Sequence, residues 1–380
     1  MKILVISHEY PPIGGGGGRV VRGICEGLAN RGHPIHILTA HYADLPRIEN
    51  CENLIIERLP SGRMEAYRAG FRTMRVFVQK SIGRGCGIIK SWNPDLIHAH
   101  FAVPAGVTAF ALSSIYRIPY ILTAHGGDVP GGAPEKTAGW FRYILPFSKL
   151  IWKHARAVTA VSSDTQRLAK EHYPVEIKVI PNGIRTKEYQ PGKFDRDTPP
   201  EILYIGRFSP EKNAVAVPKI LKRLTDLAWH CTMIGDGTQM ERVKSIIKQN
   251  QLKDRFTLTG WISPEDVKRY MSQSDILFLP SLREGMPMAG LEGLAMGLAL
   301  VLPKIGSCPD LVKEGKNGFL VQTGNDNGYK KALRTLINEP DLLKEFRAES
   351  RKWADQFELD KSIESYEELF REVLEKPVHP

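Results

Sequence analysis

Two glutamates, Glu284 and Glu292, lie in the run REGMPMAGLEGLAMG with seven residues between them. The segment just before, DILFLPS (residues 275–281), is apolar and reads as a buried parallel strand. Residues 288–296 read as a helix closed by Gly297. Glu284 then sits on the loop at the carboxyl end of a strand, and Glu292 lies within the following helix. In an open α/β sheet that edge is where ligands bind. The helix start offers unpaired N–H groups and a positive dipole end to an anion such as a diphosphate. A carboxylate repels such an anion, so Glu292 suits hydroxyls nearby, such as a ribose diol. Glu284 could grip sugar hydroxyls in the same way. The plain alternative is two solvated surface acids.

Other residue sets could share that chemistry. In GRFSPEKN (residues 206–213), after the strand EILYI, Arg207 and Lys212 can reach one diphosphate from the strand end and from the helix start. Five glycines, Gly14 to Gly18, follow the first strand and precede Arg19. Glycine lets backbone N–H groups come close to a phosphate or a sugar. A dinucleotide-binding fingerprint is disfavoured here. HEYPPI separates strand from glycines, and the acidic residue due about 20 positions on is not evident. His125 ends the strand PYILTA, with Asp128 just beyond. His98 and His100 end DLIHAH and project to one face of that strand. They are a conceivable metal pair, but no third ligand stands at suitable spacing.

The elements that must position these residues alternate along the chain. KILVIS, PIHILTA, NLIIERL, DLIHAH, PYILTA, AVTAVS and IKVIP are strand candidates of the first half. EILYIGR, HCTMIGD, RFTLTG, DILFLP, LALVLP and GFLV are those of the second. Helical patterns such as RVVRGICEGLANRG and MERVKSIIKQNQ lie between them. This predicts βα units, parallel sheets and two Rossmann-like domains. The domains are expected at residues 1–190 and 201–358, joined by a polar, proline-rich linker at 191–200. A last amphipathic helix is expected over 359–376. Residues 64–92 form a further basic amphipathic pattern. Arg68, Arg72, Arg75, Lys80 and Arg84 alternate with Tyr67, Phe71, Met74, Phe77 and Val78. Such a helix can lie on an anionic membrane surface or simply pack its apolar stripe on a sheet.

With 380 residues, 42% hydrophobic and 25% charged, the chain is long enough for two cored domains. A net charge of +10 favours anionic partners. Five scattered cysteines without C-x-x-C pairs argue against a disulfide framework or a zinc site and for a reducing compartment. The N-terminal apolar stretch is too short for a signal peptide. The longest apolar stretch, residues 106–124, is broken by Arg117 and Pro119, so no membrane-spanning segment is expected.

The segment from Glu284 to Glu292 resembles the E-x7-E motif of the retaining nucleotide-sugar glycosyltransferases of family 4, which have the GT-B fold. The glycine segment, NPDLIHAH, TAHGGD, AVTAVSS, IPNGI, LYIGRFSPEKN, MIGDG, LTGWIS and GKNGFLV resemble that family too, in its order, from residue 2 to about 375. The resemblance implies two Rossmann-like domains facing a central cleft, with the last helix crossing back to the first domain. It implies that Arg207 and Lys212 hold the donor diphosphate and neutralise the leaving nucleotide, with Gly15, Gly16 and Met286 also at that group. Glu292 would hold the ribose, the backbone near Trp261 and Ile262 the nucleobase, and Glu284 the sugar hydroxyls. His125, Glu284 and Asp128 would be the catalytic set. The nucleotide-sugar is a substrate, and neither cofactor nor metal is expected.

A UDP-sugar is favoured over GDP-mannose, with a hexose or N-acetylhexosamine passing to a glycan or lipid-linked acceptor. A cytoplasmic location with peripheral contact to an anionic membrane is expected, and no nucleic-acid partner. Rival readings are a GT-B phosphorylase, a nucleotide-sugar epimerase, or a binding protein without catalysis. The chain departs from the family at LPKIGSCPDLVKEG and at the small residues Ala289, Gly290 and Gly293, which puts donor affinity and sugar choice in doubt.

Overall fold

The computed structural model describes residues 1–66, 69–132, 141–194 and 198–375. It divides into two compact units, one made of Met1–Gly183 with the segment from Leu359 onward, the other of Ile184–Glu358. The stretch 191–200, expected as a linker, falls inside the second unit.

The first unit is built on an eight-stranded sheet in the order β3-β4-β2-β1-β5-β6-β7-β8. These strands are β1 (Ile3–Ile6), β2 (Ile35–Ala40), β3 (Ile48–Cys51), β4 (Leu54–Leu59), β5 (Leu96–His100), β6 (Tyr120–Ala124), β7 (Ala157–Ala160) and β8 (Lys178–Val179). All pair in parallel except β3, which runs antiparallel to β4. The sequence pattern does not show β3. Its IENC is mostly exposed and carries no apolar run, and register with β4 holds it in place. The central strands are buried along their whole length, as expected of a parallel sheet covered on both faces.

Helix α1 (Gly16–Asn30) buries Val20, Val21, Ile24, Cys25 and Leu28 as one stripe. Its other neighbour is the C-terminal helix (Leu359–Glu375). Gly27 permits that approach, since a Cβ there would stand 2.0 Å from Ile363 Cδ1. A charged cluster flanks the contact. Arg31 Nη1 and His33 Nε2 each lie 2.7 Å from a different oxygen of Glu367. Three further helices, α2 (Phe71–Trp92), α3 (Val107–Tyr116) and α4 (Phe141–His154), pack side by side, α2 on α3 and α3 on α4. The basic pattern at 64–92 is thus helical only from Phe71, while Tyr67 and Arg68 lie outside the described residues.

The second unit holds a six-stranded parallel sheet in the order β11-β10-β9-β12-β13-β14. Its strands are β9 (Glu201–Ile205), β10 (His230–Ile234), β11 (Phe256–Gly260), β12 (Ile276–Phe278), β13 (Ala299–Pro303) and β14 (Gly318–Val321). A buried pair aligns β12, which leads into the Glu284 loop. Asp275 accepts from Arg347 Nη1 at 2.6 Å with one oxygen and from the Glu201 amide at 2.9 Å with the other. Arg347 is only 1% exposed, so this charge is compensated where it would otherwise be costly.

Burial acts to raise the Glu367 pKa, but hydrogen bonds from His33 and Arg31 outweigh it and hold the carboxyl below its usual range. A group with a depressed native pKa stabilises the fold above its unfolded value and loses that contribution as pH falls through the native value. Glu367→Gln should therefore cost about 1–2 kcal/mol at pH 7. In denaturant titrations the gap from wild type should close as pH falls below 4.5, the ordinary carboxyl value. An equal gap at pH 3 and pH 7 would show that the charge contributes nothing.

Candidate functional site

In the second unit the site residues collect at the carboxyl ends of adjacent strands β9 and β12. The loop after β9 carries Arg207 and Lys212, and Tyr204 at the strand end donates from its hydroxyl to the Arg207 carbonyl at 3.1 Å. The two loops are stitched together, since Leu282 N donates to the Glu211 carbonyl at 2.9 Å and Asn213 Nδ2 to that of Pro280 at 3.1 Å. This stitching brings Lys212 Nζ to 2.7 Å from Glu284 Oε2. Only 5% of the Glu284 side chain is exposed, against 27% for Lys212. Arg207 stands 3.7 Å from Glu211 and is more open to solvent. One buried acid and two reachable cations thus share one strand edge.

The helix after Glu284, α9 (Met288–Ala295), has Pro287 at its N-cap position, no acid in its first turn and no capping side chain among the described residues. It ends before Gly297, which adopts φ +64°. Met286 is buried in the loop before it. Glu292 is 5% exposed, and Tyr189 Oη donates to it at 3.4 Å. The small residues of this helix have a packing cause. A Cβ on Gly290 would meet Leu311 Cδ1 at 2.6 Å, and one on Gly293 would meet Leu277 Cδ2 at 2.8 Å. The helix therefore lies directly on the sheet and on the helix Cys308–Leu311. Trp261 and Ile262 follow the end of β11, with Trp261 52% exposed.

In the first unit His125 lies just past β6. Its backbone N–H donates to Asp128 Oδ1 at 2.9 Å, and Ala102 N donates to Asp128 Oδ2 at 2.6 Å. Burial pushes the Asp128 pKa up, and these amides oppose the shift. Asp128 thus ties two loops together and has both oxygens engaged. The His125 ring stacks on Phe101 with centroids 4.4 Å apart, and its Nε2 lies 3.0 Å from His100 Nδ1. Burial, with His8 nearby, pulls the His125 pKa down to about 3. His98 and His100 share one strand face with ring centroids 4.1 Å apart. His98 Nε2 meets Thr123 Oγ1 at 2.8 Å. No group of three or more potential metal-binding side chains occurs among the described residues.

The glycine run continues into α1, which begins at Gly16. Glu9 faces it, and its Oε2 accepts from Gly15 N at 3.3 Å. A diphosphate reaching Gly15 and Gly16 must first displace that carboxylate. HEYPPI contained this acid, but nothing in its spacing showed that it folds back onto the glycines. Tyr189 and Phe101 are the other site neighbours that sequence reasoning passed over, while His100 was named only as half of a conceivable metal pair with His98. His100 alone carried a signal, as the partner of His98 on one strand face.

Two family models cover nearly the whole chain, Glycosyltransferase Family 4 over residues 14–188 and Glycosyl transferases group 1 over residues 186–353. The chain belongs to the group 1 glycosyltransferases. An uncharacterised glycosyltransferase of Methanocaldococcus jannaschii is 28% identical over 98% of this chain and 99% of its own length. The UDP-Gal:alpha-D-GlcNAc-diphosphoundecaprenol alpha-1,3-galactosyltransferase of Escherichia coli is 25% identical over 74% of this chain and 76% of its own. Sucrose-phosphate synthase from Thermosynechococcus elongatus superposes with a TM-score of 0.85 at 20% identity, covering 98% of both chains. The fold of this glycosyltransferase is GT-B. No described helix is long and apolar enough to cross a membrane.

The Glu284 loop of the glycosyltransferase depends on Gly306, which adopts φ +53°. A Cβ there would lie 2.0 Å from the Glu284 carbonyl oxygen. Gly306→Ala should destabilise the second unit by about 2 kcal/mol or more. Urea unfolding measures this, and a variant as stable as wild type would show that the loop yields freely.

Proposed function

We propose that this glycosyltransferase is a retaining enzyme that moves a hexose or N-acetylhexosamine from a UDP-sugar to a glycan or lipid-linked acceptor. The observation that carries the reading is the Lys212–Glu284 pair at the shared edge of β9 and β12, next to the uncapped start of α9. Lys212 and Arg207 supply charge for a diphosphate, and the α9 amides and the backbone at Met286 add donors. Glu284 takes sugar hydroxyls and Glu292 the ribose, while Trp261 and Ile262 flank the base. His125 contacts the transferred sugar. Asp128 acts by holding the His125 loop, since both its oxygens are engaged. Retention follows from same-face attack: the acceptor oxygen bonds to the anomeric carbon as the bond to the nucleoside diphosphate breaks, and the acceptor's proton passes to the departing phosphate oxygen, whose charge Lys212 and Arg207 neutralise. No cofactor or metal enters this scheme. The E. coli relative, named for a UDP-galactose donor and a diphosphoundecaprenol-linked acceptor, supports the choice of UDP and of a lipid-linked glycan.

A thermal-shift panel of UDP, GDP and ADP sugars identifies the donor, since bound ligand raises apparent stability. With that donor, Lys212→Ala should slow transfer by about 10²-fold or more. Proton NMR of the first-formed product should show the donor's anomeric configuration. Wild-type turnover in the variant would remove Lys212 from the site, and an inverted product would overturn retention.

The helix layer of the first unit supports a location at the inner face of an anionic membrane. Phe71, Arg72, Arg75 and Lys80 are exposed on α2, and Phe147, Lys149, Leu150 and Lys153 on α4. Arg84, by contrast, pairs with Glu57. Each basic residue near an anionic leaflet contributes about 1 kcal/mol, screened by salt. The protein should co-sediment with phosphatidylserine vesicles at low salt, and Arg72→Gln/Arg75→Gln/Lys80→Gln should reduce the bound fraction. Equal binding of wild type and triple variant would leave this helix a packed wall.

A further inference from the structure

We infer that His100 is a positioning residue that fixes the tautomer of His125, so that His125 presents Nδ1–H to its ligand. The two rings meet through His100 Nδ1 and His125 Nε2 at 3.0 Å, and one of these nitrogens must donate. Burial, with His8 near His125 and with His98 and His125 near His100, pulls both pKa values far below neutral. Each ring therefore carries one proton at pH 7, and two arrangements are available.

If His125 donated from Nε2–H, the His100 proton would sit on its own Nε2. That atom is buried and has no hydrogen-bond partner. An orphaned buried N–H is rarer and costlier than an unused lone pair. The other arrangement leaves only a bare lone pair there. His100 Nδ1–H donates to His125 Nε2, and the His125 proton is confined to Nδ1. The same reasoning applies one step back. His98 Nδ1 is buried without a partner, so His98 donates from Nε2–H to Thr123 Oγ1, 2.8 Å away.

The surroundings hold the His125 ring in the orientation this needs. Phe101 stacks on it with rings inclined by 29°, and Phe101 itself adopts φ +74°, an unusual state for a bulky residue. The Asp128 carboxylate anchors the His125 amide. Nδ1 of His125 has no hydrogen-bond partner among the described residues and is not among the buried orphan atoms. It is the open corner of the ring, and with a proton there His125 is a donor to a ligand oxygen rather than a base.

The consequence for transfer rests on the proposed role of His125, but the tautomer does not, and the test separates them. The probe is full-length protein with 15N-histidine, observed by long-range proton–nitrogen correlation at pH 7, with His125 assigned from His125→Asn. Wild type should show protonated Nδ1 and bare Nε2 at His125. His100→Leu removes the donor, so His125 should move toward the Nε2–H form that a free histidine side chain prefers. His100→Asn keeps a donor nitrogen near the Nδ1 position and should restore the wild-type pattern. Wild-type His125 protonated at Nε2, or His100→Leu leaving the pattern unchanged, overturns the inference even if the other variant fails to fold. In the transfer assay His100→Leu should lose about tenfold in kcat, recovered by His100→Asn. If His125→Asn itself keeps full activity, the proposed role of His125 fails while the tautomer assignment stands.

Discussion

Backbone approaching backbone more closely than any side chain would allow is the constraint on which the second unit's site depends. A Cβ on Gly235 would lie 2.0 Å from the Gly206 carbonyl, and one on Gly306 equally close to that of Glu284. Both contacts occur at the carboxyl ends of strands, where successive loops must turn outward past one another. Between these two contacts the loops after β9 and β12 exchange hydrogen bonds directly, and that exchange brings Lys212 to 2.7 Å from Glu284. The α9 glycines extend the rule to the helix, which rests on Leu277 and Leu311 without side chains of its own between.

Much of this was legible in the sequence, because parallel strands buried on both faces leave continuous apolar runs. Every run read as a strand is one, and the helix between Glu284 and Gly297 begins and ends close to where its proline and glycine suggested. Edge strand β3 escaped because it is mostly exposed and takes its place from pairing with β4. The unit boundary escaped for a different reason. Proline and charge mark a chain that is not in a sheet, but they do not say which unit it packs on. Phe194 stacks beneath Arg347, within the second unit.

The site was legible as a set of residue types, less so as a set of interactions. Lys212 and Glu284 are far apart in sequence, and only the strand order β9-β12 makes them neighbours. Asp128 reads as a reactive acid by its proximity to His125. In the fold it serves as a bracket for two backbone amides. Glu9 closes over the glycine run because Ser7 and the chain around it turn back, with Ser7 Oγ donating to the Glu9 carbonyl at 2.7 Å. The pattern of glycines does not encode that turn.

The Lys212–Glu284 bond also sets terms for whatever enters. A bare anion that captured Lys212 would strand Glu284, a nearly enclosed carboxylate, without its counter-charge. A neutral polyol that satisfied Glu284 would leave the lysine to find solvent. A molecule carrying phosphate and hydroxyls in one covalent frame repairs both losses at once. On the proposed function, the Lys212–Glu284 pair thus acts as a coincidence detector, answering to the conjunction of two chemical groups and discounting either one alone.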